Sequence, residues 1–323
     1  MKKLLAMSLA LVMGLTMVAG CTGTGTDTDK GADSSVTVRV GSLKGPTTIG
    51  IANMMSDAAE GYEFTMATQP DEIASKIGAG DLDIALIPAN LAANLYNKTN
   101  GAIKVIDINT LGVLYCVTAD ESIAKIEDLA GKTVITTGQG ATPEFAINYL
   151  LSAYEVEGVT LDFRADGQEV TAALSQDPSQ IAILPQPAAL AACSQIEGVK
   201  TAFSLNKAWE DLDNGSMFIT GVTVVRTAFL EEHKDLVDKF IADHTASVDK
   251  TKSDVETTAN RVVDLGIIAK APLAQKAIPL CNIVCIKGAD IKEALTGYLM
   301  TLLDANPNSI GGSLPGDDFF YVG

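Results

Sequence analysis

Two histidines and one tryptophan in 323 residues, with aromatic residues at 5%, leave little of the usual apparatus of catalysis or base stacking. Arginine is equally scarce, present only as Arg39, Arg164, Arg226 and Arg261. The 23 Lys and Arg face 40 Asp and Glu, a net charge of −17 with no basic cluster. That excludes nucleic acid as a partner, because such binding depends on cations gathered on one face. His233 and His244 lie far in sequence from the cysteines, so the four-ligand pattern of a zinc site is missing and no metal is expected. Phosphate signatures are missing too. The one Gly-Lys-Thr, at residues 131–133, has Ile126 where a P-loop needs its first glycine. Gly138 and Gly140 are followed by Pro143 where a dinucleotide fingerprint needs its third glycine. No cofactor is expected, and no run able to span a bilayer follows the first twenty residues.

What is present begins with Lys2, Lys3 and the apolar stretch LLAMSLALVMGLTMVAG, the layout of a secretory signal peptide over residues 1–20. Val18-Ala19-Gly20-Cys21 resembles the bacterial lipobox, which implies cleavage before Cys21 and acyl lipid, palmitate among it, anchoring Cys21 to the bacterial cell membrane. Residues 21–35, with TGTGTDTDKGADSS after the cysteine, contain no large apolar side chain and read as a tether. Among the remaining cysteines, Cys281 and Cys285 sit four apart in PLCNIVCIKG, as buried thiols or a local pair.

The middle of the chain repeats itself. A shift of 97 residues lays DIALIPANLAANLY (83–96) on QIAILPQPAALAAC (180–193), with Pro88 on Pro185 and Ala92 on Ala189. The same shift carries Gly41 to Gly138, Pro46 to Pro143 and Glu72 to Glu169. One ungapped offset joining loop, helix and strand predicts two lobes on one plan. In the first, VTVRVGSL alternates as a strand, Pro46 opens a helix over KGPTTIGIANMMSDA, and IALIP reads as a strand covered on both faces. Strands alternating with helices predict an α/β fold with mainly parallel sheets, and ligands gather beyond the carboxyl ends of such strands. INTLGVLYCVTA (108–119) and MFITGVTVV (217–225) read as extended crossings that form a two-strand hinge beside an interlobe cleft. The expected lobes are 36–114 plus 221–323, and 115–220. Phe229, Leu230, Leu236, Val237, Phe240 and Ile241 recur at helical spacing in the return segment.

SLKGPTTIG, GDLDIALIPAN, KIEDLAGKTVITTGQGATPE, ILPQP and GVTVVRTAFLEEHKDLVDKFIADHTASVD, in that order, resemble the type II solute-binding proteins of ABC importers, in the nitrate, sulfonate and thiamine-precursor branch. The resemblance runs from about Val36 to Gly323. It implies a two-lobed periplasmic-binding-protein fold that closes on a small solute and passes it to a membrane permease driven by an intracellular ATPase. A monomer is expected.

The turn TTGQGATPEF becomes one jaw of that cleft, with Gln139, Gly140, Ala141 and Thr142 supplying backbone N–H groups, an amide and a hydroxyl. Thr142 is equally a candidate N-cap ahead of Pro143. The matching jaw is Lys44, Gly45, Thr47 and Thr48, in which Lys44 either pairs with an anion or is a solvated surface lysine. Asn90 and Gln186 follow the matched Pro88 and Pro185, and the resemblance turns them toward the cleft; either also suits a helix cap. Tyr115 lies at the first crossing as a ligand contact or a hinge wedge, and Trp209 reads as a packed or partly exposed loop anchor. The jaws hold no arginine and no acid besides Glu144, which favours a small neutral or monoanionic organic solute over polyamines, metal cations or the usual amino acids. An enzyme on the same fold is the alternative, but the jaws contain no histidine or cysteine to serve as base or nucleophile. A binding protein that presents its ligand to a sensor is the other.

Overall fold

A computed structural model describes residues 36–323. The expected signal peptide, the lipid-bearing Cys21 and the tether lie outside the described residues. Among the described residues, no helix is long and apolar enough to cross a membrane.

Eleven strands are described: β1 (Val38–Leu43), β2 (Tyr62–Ala67), β3 (Ile84–Pro88), β4 (Ile103–Leu111), β5 (Leu114–Thr118), β6 (Thr133–Thr136), β7 (Thr160–Phe163), β8 (Ile181–Pro185), β9 (Lys200–Ser204), β10 (Ile219–Arg226) and β11 (Ile283–Lys287). They form two sheets, in the orders β2-β1-β3-β10-β4-β11 and β7-β6-β8-β5-β9. The first five positions correspond one for one. In each sheet the crossing strand, β10 or β5, inserts antiparallel between two strands that run with the parallel trio. The sheets are therefore mixed in their pairings, while four strands of each point the same way.

The internal repeat survives into the elements. β3 and β8 are displaced by 97 residues at both ends, and so are the helices Pro70–Ala79 and Gly167–Gln176. The two helices start by different local chemistry. Pro70 opens the first with Asp71 and Glu72 in its first turn, and Gly80 closes it at φ 84°. Asp166 caps the second by accepting from the N–H groups of Gln168 and Glu169. Alternation explains the continuous apolar runs. Along β3, Ile84 and Leu86 pack on one face while Ala85 and Ile87 pack on the other. In β8, Ile181 and Ile183 divide from Ala182 and Leu184 in the same way.

The helix expected across residues 46–58 is two short pieces, Pro46–Ile49 and Ala52–Ser56. The break has a packing cause. Ser247 Oγ donates to the Gly50 carbonyl at 2.6 Å, and a Cβ at Gly50 would lie 3.2 Å from His244 Nε2. The amphipathic segment after residue 226 forms the helices Thr227–Glu232 and Lys234–Ser253, burying Phe229, Leu230, Val237 and Phe240.

Separation in sequence misleads about His244. The helix Lys234–Ser253 packs on β11, which pairs with β4, so His244 Nδ1 lies 3.0 Å from Asp107 Oδ2 and 4.0 Å from Cys285 Sγ. Burial works against the His244 cation, yet the Asp107 carboxylate raises its pKa to about 10. Cys281 and Cys285 are free thiols, the first buried and the second half-buried.

A second buried carboxylate fixes the far edge of the first sheet. Asp83, 2% exposed, accepts Arg39 Nη2 at 2.6 Å and Arg226 Nη2 at 2.8 Å. Desolvation pushes its pKa up, but hydrogen bonds from the two guanidiniums outweigh this and hold it below the usual 3.8. The pair's contribution is thus present above the unfolded carboxylate pKa and lost as pH falls through the lower folded value. Asp83→Asn is expected to cost about 2–3 kcal/mol at neutral pH, since it leaves two partly covered cations facing one another. Urea unfolding at pH 7 and pH 3 checks this: the gap between wild type and variant should shrink at the lower pH.

Candidate functional site

β1, β3 and β4 end at one edge of the first sheet, where Gly221 of β10 stands opposite Pro88 and Thr110. The chain after β1 folds tightly onto that edge. Thr47 Oγ1 donates to the Leu43 carbonyl at 3.0 Å, and Thr48 Oγ1 reaches Ser42 Oγ at 2.9 Å. Gly221 permits this approach: a Cβ there would sit 2.5 Å from Asn109 Oδ1 and 2.9 Å from Thr47 Cγ2. The second sheet ends similarly at Thr136 and Pro185. Thr136 Oγ1 donates to the Ile183 carbonyl, and Gly138 and Gly140 turn the chain at φ 79° and 73°.

The two edges meet. Thr142 Oγ1 donates to Asn90 Oδ1 at 2.7 Å, joining the two predicted jaws across 52 residues of sequence, and both side chains are buried. Thr142 is not the helix cap. The helix Thr142–Ala153 begins at that residue, with Ala141 ahead of it making no side-chain cap bond, so the hydroxyl is free to cross to the other edge. Asn90 also lies inside its helix, Ala89–Thr99, behind Pro88. Near the crossings each sheet's own pairing is extended, where Asn282 Nδ2 donates to the Gly112 carbonyl at 2.5 Å and the Gln186 N–H donates to the Val113 carbonyl at 2.9 Å.

Gln186 is 1% exposed and its amide is only partly satisfied. Oε1 accepts the Leu190 N–H at 3.3 Å, while Nε2 has no partner within the protein. Thr220, one residue before Gly221, also has a buried hydroxyl without a partner. A buried polar group normally finds a hydrogen bond, and the carboxyl edge of each sheet holds one that lacks a partner within the protein. Thr220 escapes sequence reasoning. Its place shows only in the strand register: Leu114 stands opposite Pro185 as Gly221 stands opposite Pro88, which makes Thr220 the counterpart of Val113 outside the 97-residue shift.

The other predicted residues differ in availability. Lys44 and Gln139 are exposed, and Gly45 and Ala141 are half-buried. The Gly140 N–H is taken by Glu144 Oε2 at 2.5 Å and the Ala141 N–H by the Gly138 carbonyl at 3.0 Å, so these two donors of the expected cradle are used internally. Tyr115 is 8% exposed and donates its hydroxyl to the Leu280 carbonyl at 3.0 Å, which ties β5 to the loop before β11. Trp209 is buried at 1% exposure in the helix Leu205–Glu210. A cavity of about 410 Å³ opens beside Leu111, Lys252, Asn282 and Ile283, and none of the predicted jaw residues lines it.

No protein-family model matches the chain, and no curated protein matches it. Solved structures do. An ABC transporter protein from Parabacteroides distasonis superposes with a TM-score of 0.76 at 23% identity, covering 89% of this chain and 99% of that one. The periplasmic aliphatic sulphonate binding protein SsuA from Escherichia coli gives 0.68 at 12% identity over 87% and 92% of the two chains. A Candida albicans gene product described as having the generic periplasmic binding protein structural fold gives 0.58 at 12% identity over 87% and 99%. The chain has the periplasmic binding protein fold. In this chain the Thr142–Asn90 bond brings the two carboxyl edges together. The P. distasonis neighbour is described as an ABC transporter and the E. coli one as a periplasmic binding protein.

Proposed function

We propose that the chain is an extracytoplasmic solute-binding protein of an ABC importer that captures a small organic solute between two lobes, 36–114 plus 221–323 and 115–220. The observation that carries this reading is the Thr142–Asn90 contact between the carboxyl edges of the two sheets, each of which also holds a buried group without a partner, Thr220 Oγ1 on the first and Gln186 Nε2 on the second. The unmet amide is a donor, and the bond that joins the two edges is made by a threonine and an asparagine, which suits a neutral or monoanionic solute rich in acceptor oxygens. Lys44, Gly45, Gln139 and Gly140 form the rim that the solute passes, with Thr47 and Thr48 buried behind it, and Lys44 is the rim's cation. Release requires the Thr142–Asn90 contact to open, so solute binding shifts the population toward the closed arrangement. The sequence before residue 36 anchors the folded part through lipid on Cys21 and keeps it beside its permease.

The test is thermal unfolding of the purified protein against sulfonates, nitrate, pyrimidine vitamin precursors, aromatic acids and amino acids. At about a hundred times its dissociation constant the right solute should add about 2.7 kcal/mol, or roughly 5–10 °C. Saturable stabilisation by one chemical class, without turnover, is the expected result. Turnover of any of these compounds would favour the enzyme reading.

A further inference from the structure

Asp107, His244 and Cys285 come from three elements, β4, the helix Lys234–Ser253 and β11, and their ligand atoms all lie within 4.8 Å of one another. The grouping is not a nucleophile relay. In such a relay the nucleophile and the carboxylate use opposite nitrogens of the imidazole. Here Asp107 Oδ2 and Cys285 Sγ both face Nδ1, at 3.0 and 4.0 Å, while Nε2 has no partner and lies against the backbone of Gly50. Three donor atoms of different kinds converging on one point is an arrangement suited to a cation. We propose that Asp107, His244 and Cys285 bind one divalent cation of the zinc class.

The donor set fixes the class. Sulfur and imidazole nitrogen favour zinc and its neighbours over magnesium or calcium, and one carboxylate completes a three-ligand face with a position left for water. Charge also balances. The cation replaces the Nδ1 proton of His244 and the thiol proton of Cys285, both released to solvent, and its two charges are met by one thiolate and one carboxylate. The carboxylate is already oriented: its second oxygen accepts Thr223 Oγ1 at 2.7 Å, and Thr223 accepts Asn109 Nδ2 at 3.2 Å. Access is from the Cys285 side, which is half-buried, where Thr245 Oγ1 lies 3.5 Å from the sulfur. Lys287 Nζ donates to that hydroxyl at 2.9 Å from the solvent side. An ion here would clamp β4, β11 and the long helix together.

The test is titration of the metal-free protein with Co²⁺, followed by absorption. The expected result is a thiolate-to-cobalt charge-transfer band that saturates at one equivalent and is displaced by Zn²⁺. Cys285→Ser should remove the band and weaken binding at least about tenfold, while Cys193→Ser, at a half-buried thiol elsewhere, leaves both unchanged. A second readout needs no variant: Zn²⁺ should protect Cys285 of the wild type from alkylation. A folded wild type without the band at several equivalents of Co²⁺ overturns the proposal, as does a band that persists in Cys285→Ser. Alkylation of Cys285 unaffected by Zn²⁺ overturns it also.

Discussion

Trp209→Ala is expected to lower the unfolding free energy by about 3–5 kcal/mol, the largest stability effect of any single substitution considered for this chain. Trp209 is the one tryptophan and is 1% exposed. Its ring stacks on Phe218 at 5.1 Å and lies 4.4 Å from Tyr149 and 5.7 Å from Tyr298. Its Nε1 donates to Ser216 Oγ at 2.8 Å. Truncation to alanine therefore removes the centre of an aromatic group and leaves a cavity between segments that belong to different parts of the fold. Tyr149 stands in the helix that follows β6, and Tyr298 in the helix Ala289–Ala305 after β11. Trp209→Phe should recover part of the loss, because it keeps one aromatic ring in the group while giving up the second ring and the Nε1 bond. Urea unfolding followed by circular dichroism measures both. A cost below about 1 kcal/mol for Trp209→Ala would show that the neighbouring rings close the gap without it.

Gln186→Leu should move stability and binding in opposite directions. The wild-type side chain buries an amide with one unmet donor, and leucine of similar volume removes that desolvation burden at the loss of one weak 3.3 Å bond. Stability is expected to be unchanged or raised by about 1 kcal/mol. Solute affinity is expected to fall about tenfold to a hundredfold, the value of about 1.4–2.8 kcal/mol of a hydrogen bond made only in the complex. A residue that served only the local turn would show the reverse: lower stability and unaltered affinity.

Much of this fold is legible in the sequence because it is written twice. The 97-residue shift that pairs Ile84 with Ile181 also pairs strand with strand and helix with helix, and the crossings near residues 112 and 219 follow from the apolar runs at 108–119 and 217–225. The contact between jaws is partly legible. Asn90 and Thr142 stand out as polar residues in the two jaws, but that one bonds the other depends on how the two edges meet, which no local pattern encodes. For the same reason the internal use of the Gly140 and Ala141 donors is invisible until the turn is built. Thr220 is missed because its neighbours Ile219 and Gly221 make it look like an ordinary strand residue. His244 is missed more completely. Its helix reads as amphipathic and polar, and only the pairing of β11 with β4 brings residues 107, 244 and 285 to one place. Long-range antiparallel register of that kind leaves no periodic trace.

The central claim is that a small solute is held between the two carboxyl edges, and one measurement tests it most directly. The solute that gives the largest saturable thermal shift is titrated calorimetrically into wild type and Gln186→Leu side by side. One-to-one binding by the wild type, weakened about tenfold or more in a Gln186→Leu protein of undiminished stability, is the predicted result. Equal affinity in the two proteins would place the solute elsewhere and contradict the account.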